Sequence, residues 1–167
     1  MDHILKDSRI MLSRYFIGVL IEISTMMVLI SVALSVLGIH NAVLIGFLGG
    51  LMNVIPYLGP LFGTAIGLIL GVIYVLSMSM FDQIIYTILA IMGSFAFANL
   101  VDNFFLQPVI YSKSVKAHPV EIFLVIIMAG KFAGIVGMIA AIPVFTVFKI
   151  VMKQFSEKNI LKISEDA

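Results

Sequence analysis

The chain contains no cysteine. That excludes disulfides, thiolate catalysis and cysteine metal sites. Charge is scarce as well: Asp, Glu, Lys and Arg make up 11% of the 167 residues, less than half the usual share of about 25%. A soluble domain of this size would still expose roughly a third of what its unfolded chain exposes. This composition has too little polar surface to cover it. The formal charge of +1 argues neither for nor against an anionic partner. No basic patch interleaved with aromatics is present, so nucleic-acid binding has no support. There is no H-E-x-x-H, no G-x-S-x-G, no Walker motif and no pair of aspartates within one helix interior. His3, His40 and His118 lie far apart. No enzyme, cofactor or metal site is expected.

What is present is apolar. Hydrophobic residues make up 62% of the chain, and the mean hydropathy is +1.19. The runs are long and unbroken, whereas a membrane β-barrel needs alternating segments of about ten residues. The fold class is therefore all-α integral membrane. The runs predict a multi-pass bundle of about five to six helices with two Gly/Pro-interrupted helical hairpins.

Residues 1–14 read as an interfacial amphipathic segment. Residues 15–152 read as the transmembrane domain, and 153–167 as a basic, then acidic, cytoplasmic tail. The first apolar run is too long for a signal-peptide core. It spans Tyr15 to Leu37, with Glu22 as its only charge. A carboxylate at membrane depth must face protein or water, which makes it a functional candidate. The plainer alternative is that it snorkels or bonds a neighbouring helix. A short helix from Ala42 to Ile55 follows, then a longer one from Leu61 to Met80. A fourth helix, Ile84 to about Leu106, carries Asn99, Asp102 and Asn103 on one face, with Gln107 a turn later and Pro108 as its end. The run Val120–Met152 is too long for one ordinary span. Gly130, Lys131, Gly134 and Gly137 interrupt it, and Pro143 is expected to break it again. It reads as two short helices hinged near Lys131.

The stretch from Ile45 to Gly71 organises the rest. Pro56 and Pro60 break the hydrogen-bond ladder of an almost uncharged run. Gly59, Gly63, Gly67 and Gly71 recur every fourth residue, the small-xxx-small spacing that lets membrane helices approach backbone to backbone. Asn53 and Tyr57 flank the break. The stretch reads either as a helical hairpin with a tight turn or as a substrate-lining joint, since irregular backbone at membrane depth survives only where protein or water satisfies it.

Charge placement sets the topology. With the chain starting inside, the turns at Gly38–Asn41 and Ser77–Gln83 fall outside, and neither holds Lys or Arg. Lys113, Lys116 and the basic tail then fall inside. Only Lys131 escapes this rule. The expected location is the inner (plasma) membrane, with both termini cytoplasmic.

Three blocks resemble the autoinducer-2 exporter family, also called PerM-like permeases. They are G-L-M-N-V-I-P-Y-L-G-P (50–60), V-D-N-F-F-L-Q-P-V-I-Y-S-K (101–113), and H-P-V-E (118–121) followed by G-K-F-A-G-I-V-G-M-I-A-A-I-P-V (130–144). The chain departs at Ser112, where the family often has glycine. The resemblance covers only the C-terminal part of a longer family member. It implies an oligomeric multi-pass permease that exports small solutes, such as an autoinducer-2-like signal. Some relatives are linked to cation/proton antiport.

The candidate roles follow. Asn53, Pro56, Tyr57, Gly59, Pro60, Asn99, Asn103, Gln107 and Pro108 are candidates for a substrate path or gate. Glu22, Asp102 and Lys131 are candidates for ion coupling. Gly63, Gly67, Gly71, Gly130, Gly134, Gly137 and Pro143 are assigned to helix packing. The expected partners are the lipid bilayer, a small polar solute and further copies of the chain. The competing reading is a membrane scaffold subunit that transports nothing alone, with the glycine column as its oligomer interface.

Overall fold

The structure, a computed structural model, describes residues 2–108 and 119–165. Expectations placed on Lys113, Lys116, His118 and the last two residues lie outside these, as do those on the side chains of 2–8, 11–12 and 153–165. The helices are α1 (Asp2–Val36), α2 (Ala42–Met52), α3 (Leu58–Ser77), α4 (Ile84–Val101) and α5 (Pro119–Glu165). A single 3-10 turn, Phe81–Gln83, leads into α4, and a π turn, Asp102–Leu106, follows it. No strand occurs among the described residues. Among the described residues, four stretches are long and apolar enough to cross a membrane: Ser13–Val36, Leu58–Ser77, Phe81–Leu106 and Val120–Lys149. The protein is an all-α membrane protein.

The chain forms two compact units, residues 17–112 and residues 1–16 with 113–167. The first segment and the first span, expected as separate elements, are one uninterrupted helix.

In the 17–112 unit, α1 buries Val19, Glu22, Ile23, Met26, Ile30 and Leu34, an i, i+3, i+4 stripe. Met26, Ile30 and Leu34 share a core with Ile39, Ala42 and Ile45 before and within α2, and with Ala90, Ile91, Phe95 and Ala98 of α4. The opposite face of α1, including Leu20, Val28 and Val32, stays exposed, as suits lipid.

Glycine sets the spacing of these helices. On α2, a Cβ at Gly46 would fall onto Ser31, and one at Gly50 onto Met27. Residues 46 and 50 of α2 thus meet 31 and 27 of α1, so the two helices run antiparallel. Gly63 of α3 sits against the Gly49 backbone, where an added Cβ would lie 3.0 Å from the carbonyl oxygen. A Cβ at Gly67 would meet Ile45 at 3.0 Å and Phe95 at 3.1 Å, and one at Gly71 would meet Ile91 and Thr87. The column of α3 therefore faces α2 and α4 of its own chain. It is filled from within, so it does not offer the interface between copies that the scaffold reading required.

At one end of the unit the turns are tied together. His40 stacks on Tyr74 with centroids 4.6 Å apart, and the Tyr86 hydroxyl donates to the Leu37 carbonyl at 2.8 Å. At the other end, residues 53–57 join α2 to α3.

The second unit holds α5, which is not straight. Ala133 and Gly134 leave helical geometry, Gly134 with φ 59° and ψ −145°. Beyond them the chain folds back. A Cβ at Gly130 would meet Met138, one at Gly137 would meet Ala129 and Ala133, and Lys149 Nζ lies 2.9 Å from Glu121 Oε2. In a straight helix, 28 residues would separate that pair by about 42 Å. The first limb, residues 119–132, is about 21 Å long, short of the roughly 30 Å hydrocarbon core. The reversal thus lies just past Lys131, as the sequence suggests. Pro143 is a correction: the second limb runs through it without a break. The proline costs the Ile139 carbonyl one donor, and the helix tolerates that.

Two stability outcomes follow. Gly63→Leu forces a side chain onto the α2 backbone and lowers stability in detergent by about 1–3 kcal/mol, while Gly93→Ala, with open space around it, leaves the melting temperature unchanged or higher. Gly134→Ala places a side chain where only glycine sits without strain and costs about 1–3 kcal/mol. Limited proteolysis near residue 134 reads that loss, and an unaltered digestion pattern would remove the tight reversal.

Candidate functional site

The α2–α3 joint is built from short-range hydrogen bonds. The Val54 and Ile55 N–H groups donate to the carbonyls of Leu51 and Met52 at 3.2 and 3.1 Å. Pro56 then ends helical pairing. The Leu58 N–H donates to the Pro56 carbonyl at 2.8 Å, which makes a three-residue turn centred on Tyr57. Tyr57 has φ 65° and ψ −44°, the rare, strained form of the γ-turn. A side chain other than glycine held there points to a constrained site. The Gly59 N–H donates to Ile55 at 2.7 Å. Gly59 has no room for a Cβ, which would strike the Met52 carbonyl. Pro60 opens α3 within its first turn, where its missing N–H is cheap, and its carbonyl accepts from Thr64 Oγ1 at 2.7 Å.

Polar groups gather at the level of this joint. Asn53 caps α2, is 4% exposed, and its Nδ2 has no partner among the described residues. Continuing the 46–31 and 50–27 pairing by one turn sets Val54 level with Ile23, next to Glu22. Continuing the 63–95 pairing of α3 with α4 sets Gly59 level with Asn99. Asp102 lies one turn beyond.

Glu22 and Asp102 are each 1% exposed. Their carboxyls lie within hydrogen-bonding reach of each other. Gln107 Nε2 donates to Asp102 Oδ2 at 2.8 Å. Asp102 Oδ1 is buried with no donor among the described residues when both acids are charged. The π turn shapes this cluster. The Gln107 N–H reaches back five residues to the Asp102 carbonyl. Pro108 supplies a cause, because its ring would clash with the Phe104 carbonyl in a regular α-helix. Such widened turns recur at functional sites.

The sequence candidates divide accordingly. Asn53, Pro56, Gly59, Glu22 and Asp102 are buried, Pro60, Asn99 and Gln107 are half-buried, and Tyr57, Asn103 and Pro108 are exposed. Asp102 meets both Gln107 and Glu22. Lys131 is exposed and belongs to the other unit. Three features escaped the sequence reading. The Gly46–Gly50 pair has the same four-residue spacing as the α3 column and could have been found by it. The γ-turn at Tyr57 is hidden because tyrosine is not a turn signal. The Glu22–Asp102 pair joins residues 80 apart in sequence, which no local pattern reports.

The profile of the AI-2E family transporters matches residues 1–157. Two proteins of Bacillus subtilis (strain 168) are similar. "Putative transport protein YrrI" is 32% identical over 151 residues, covering 90% of this chain and 40% of the relative. "Putative transport protein YueF" is 32% identical over 146 residues, covering 87% and 37%. The chain thus spans about two fifths of the length of these relatives. No solved structure matches it.

Proposed function

This chain belongs to the AI-2E transporter family, and from that premise we propose that it is the transport core of a secondary permease for small polar solutes. One observation carries the proposal. A strained joint at Tyr57 lies at the level of a buried amide, Asn53, whose donor is unpartnered. A donor held ready in a low-dielectric setting suits a hydroxyl-rich solute such as an autoinducer-2-like signal. Asn99 and Gln107 add uncharged groups near the same level. Tyr57 is exposed and can meet solute directly, while its strained turn offers two backbone states for gating. Coupling would fall to Glu22 and Asp102, as intramembrane acids commonly serve. Export, residence in the plasma membrane, cytoplasmic termini and association into oligomers complete the reading. The run 17–112 holds no Lys or Arg, which supports this orientation.

The test is solute flux in proteoliposomes, comparing this chain alone with a version extended to the length of its relatives. Asn53→Ala is expected to slow flux about tenfold, the equivalent of one lost hydrogen bond to solute. Undiminished flux would remove Asn53 from the path. Flux from the extended version only would make the chain one part of a larger transport unit. Orientation is read separately: the absence of native cysteine makes single-cysteine labelling direct. Ser79→Cys should react with an impermeant reagent added outside, and Ser156→Cys only after permeabilisation.

A further inference from the structure

We infer that the strip of α4 carrying Thr87 and Ser94 lines the outer half of a polar path through the 17–112 unit, and that the rings of His40, Tyr74 and Tyr86 close its mouth. What moves along the path rests on the transport reading; that water reaches Ser94 does not. Ser94 is 3% exposed, and its Oγ has no hydrogen-bond partner among the described residues. A serine or threonine within a helix can bond back to the carbonyl one turn earlier. Ser24, Thr64 and Thr146 do so, at 2.7, 2.7 and 2.8 Å. Ser94 does not. A hydroxyl unpaired in a membrane interior is costly, and a passing water or solute hydroxyl would satisfy it.

The second observation is a cavity at the end of the unit opposite the joint. Gly38, His40, Tyr74, Gln83, Tyr86 and Thr87 line it, and its free volume of about 20 Å³ gives room for one water. Thr87, 4% exposed, is the buried polar residue of that lining. Ser94 lies seven residues on, two turns along the same face and about 10 Å deeper. Ala90 and Ala98, 7% and 0% exposed, share the strip and add little bulk to it. The larger Ile91 and Phe95 pack beside it, against the glycines of α3. Half-buried Asn99 follows five residues beyond Ser94, about 8 Å further, at the level of the joint. Polar groups thus occur at the cavity, midway, and at the joint.

Side chains, not backbone, shut the mouth. His40 stacks on Tyr74 with centroids 4.6 Å apart, and the Tyr86 hydroxyl donates to the Leu37 carbonyl at 2.8 Å. His40 and Tyr86 are exposed, so their rings can swing outward. The turn itself is fixed, since the Ile39 N–H donates to the Leu34 carbonyl at 3.0 Å and the Ile39 side chain belongs to the core. Aromatic faces beside the Gln83 amide and the Thr87 hydroxyl suit a small, uncharged, hydroxyl-rich solute. On the orientation proposed above, this mouth faces outside.

The experiment is thiol accessibility in sealed vesicles whose outward face is the one on which Ser79→Cys reacts. The chain's lack of native cysteine makes each introduced thiol the sole target. A small, impermeant methanethiosulfonate is expected to label Ser94→Cys slowly. It should leave Leu89→Cys, on the exposed face of the same helix, unlabelled. Adding His40→Ala and Tyr86→Phe removes one ring contact and one hydrogen bond from the closed mouth, and should speed labelling at 94 about tenfold or more. No labelling of Ser94→Cys in either background would overturn the path and leave Ser94 a packing residue. Equal rates in both backgrounds would overturn the gate, and equal labelling at 89 would overturn the strip. Should the double change fail to fold, Tyr86→Phe alone, which keeps the ring, should speed labelling about threefold, with the same reversals. Flux of D-ribose, as a hydroxyl-rich probe, is measured on the same vesicles. Gate-dependent labelling without flux would count against transport of such solutes and leave the water path standing. Flux undiminished by Ser94→Ala would overturn Ser94 as a solute contact.

Discussion

Helices in lipid gain little by hiding apolar surface from one another, because the solvent they leave is as apolar as the partner they meet. Association must come from close van der Waals contact, and close contact needs small residues. The glycines of α2 and α3 meet that need. Gly46 and Gly50 let α1 reach the α2 backbone, and Gly49 and Gly63 bring α2 and α3 together. Gly67 and Gly71 leave room for Phe95, Ile91 and Thr87 of α4. Helix propensity argues against such a run, by up to about 1 kcal/mol per glycine. Tertiary contact outweighs it. Remove that contact and the short α2, only 11 residues, has no reason to stay helical.

The close approach also fixes where the irregular backbone sits. An α2 of 11 residues is about 16 Å long, about half the hydrocarbon core, and Asn53 and Ile55 at its C-terminal end are buried against protein. Pro56 prevents the helix from continuing, and the packed glycines on either side prevent the two limbs from separating. The turn is compressed into residues 53–57, and Tyr57 absorbs the misfit at positive φ. Strain here is a consequence of packing on both sides. The same packing brings Asn53, Glu22 and Asp102 to a common level, because the antiparallel registers of α1, α2, α3 and α4 are set by the same contacts.

Much of this was legible in the sequence and some was not. The helical membrane class follows from charge scarcity and run length. The Pro56–Pro60 interruption and the Gly59–Gly71 column are local patterns, and they appear where the spacing places them. Pro143 misled, since proline in a helix costs one hydrogen bond but does not force a break when its neighbours hold the limb. Gly134 determined the reversal instead, through a backbone geometry that other residues reach only with strain. The column's partner could not be read at all. A four-residue glycine repeat says that something comes close, not whether it belongs to the same chain. Candidate polar residues were identifiable one by one, but their grouping depends on register between helices.

The lack of Lys and Arg across 17–112 matters differently for exposed and buried acids. For a lone exposed acid near a helix end, missing cations matter little, because water screens the charge. For Glu22 and Asp102, each 1% exposed, a partner weighs far more, because little water reaches them. The Lys149–Glu121 pair shows the contrast within the same protein. It joins two limbs of a hairpin, both partners are exposed, and it is a fixed pair of opposite charges. An exposed pair of this kind contributes little to stability, whereas buried acids such as Glu22 and Asp102 depend on every partner they have.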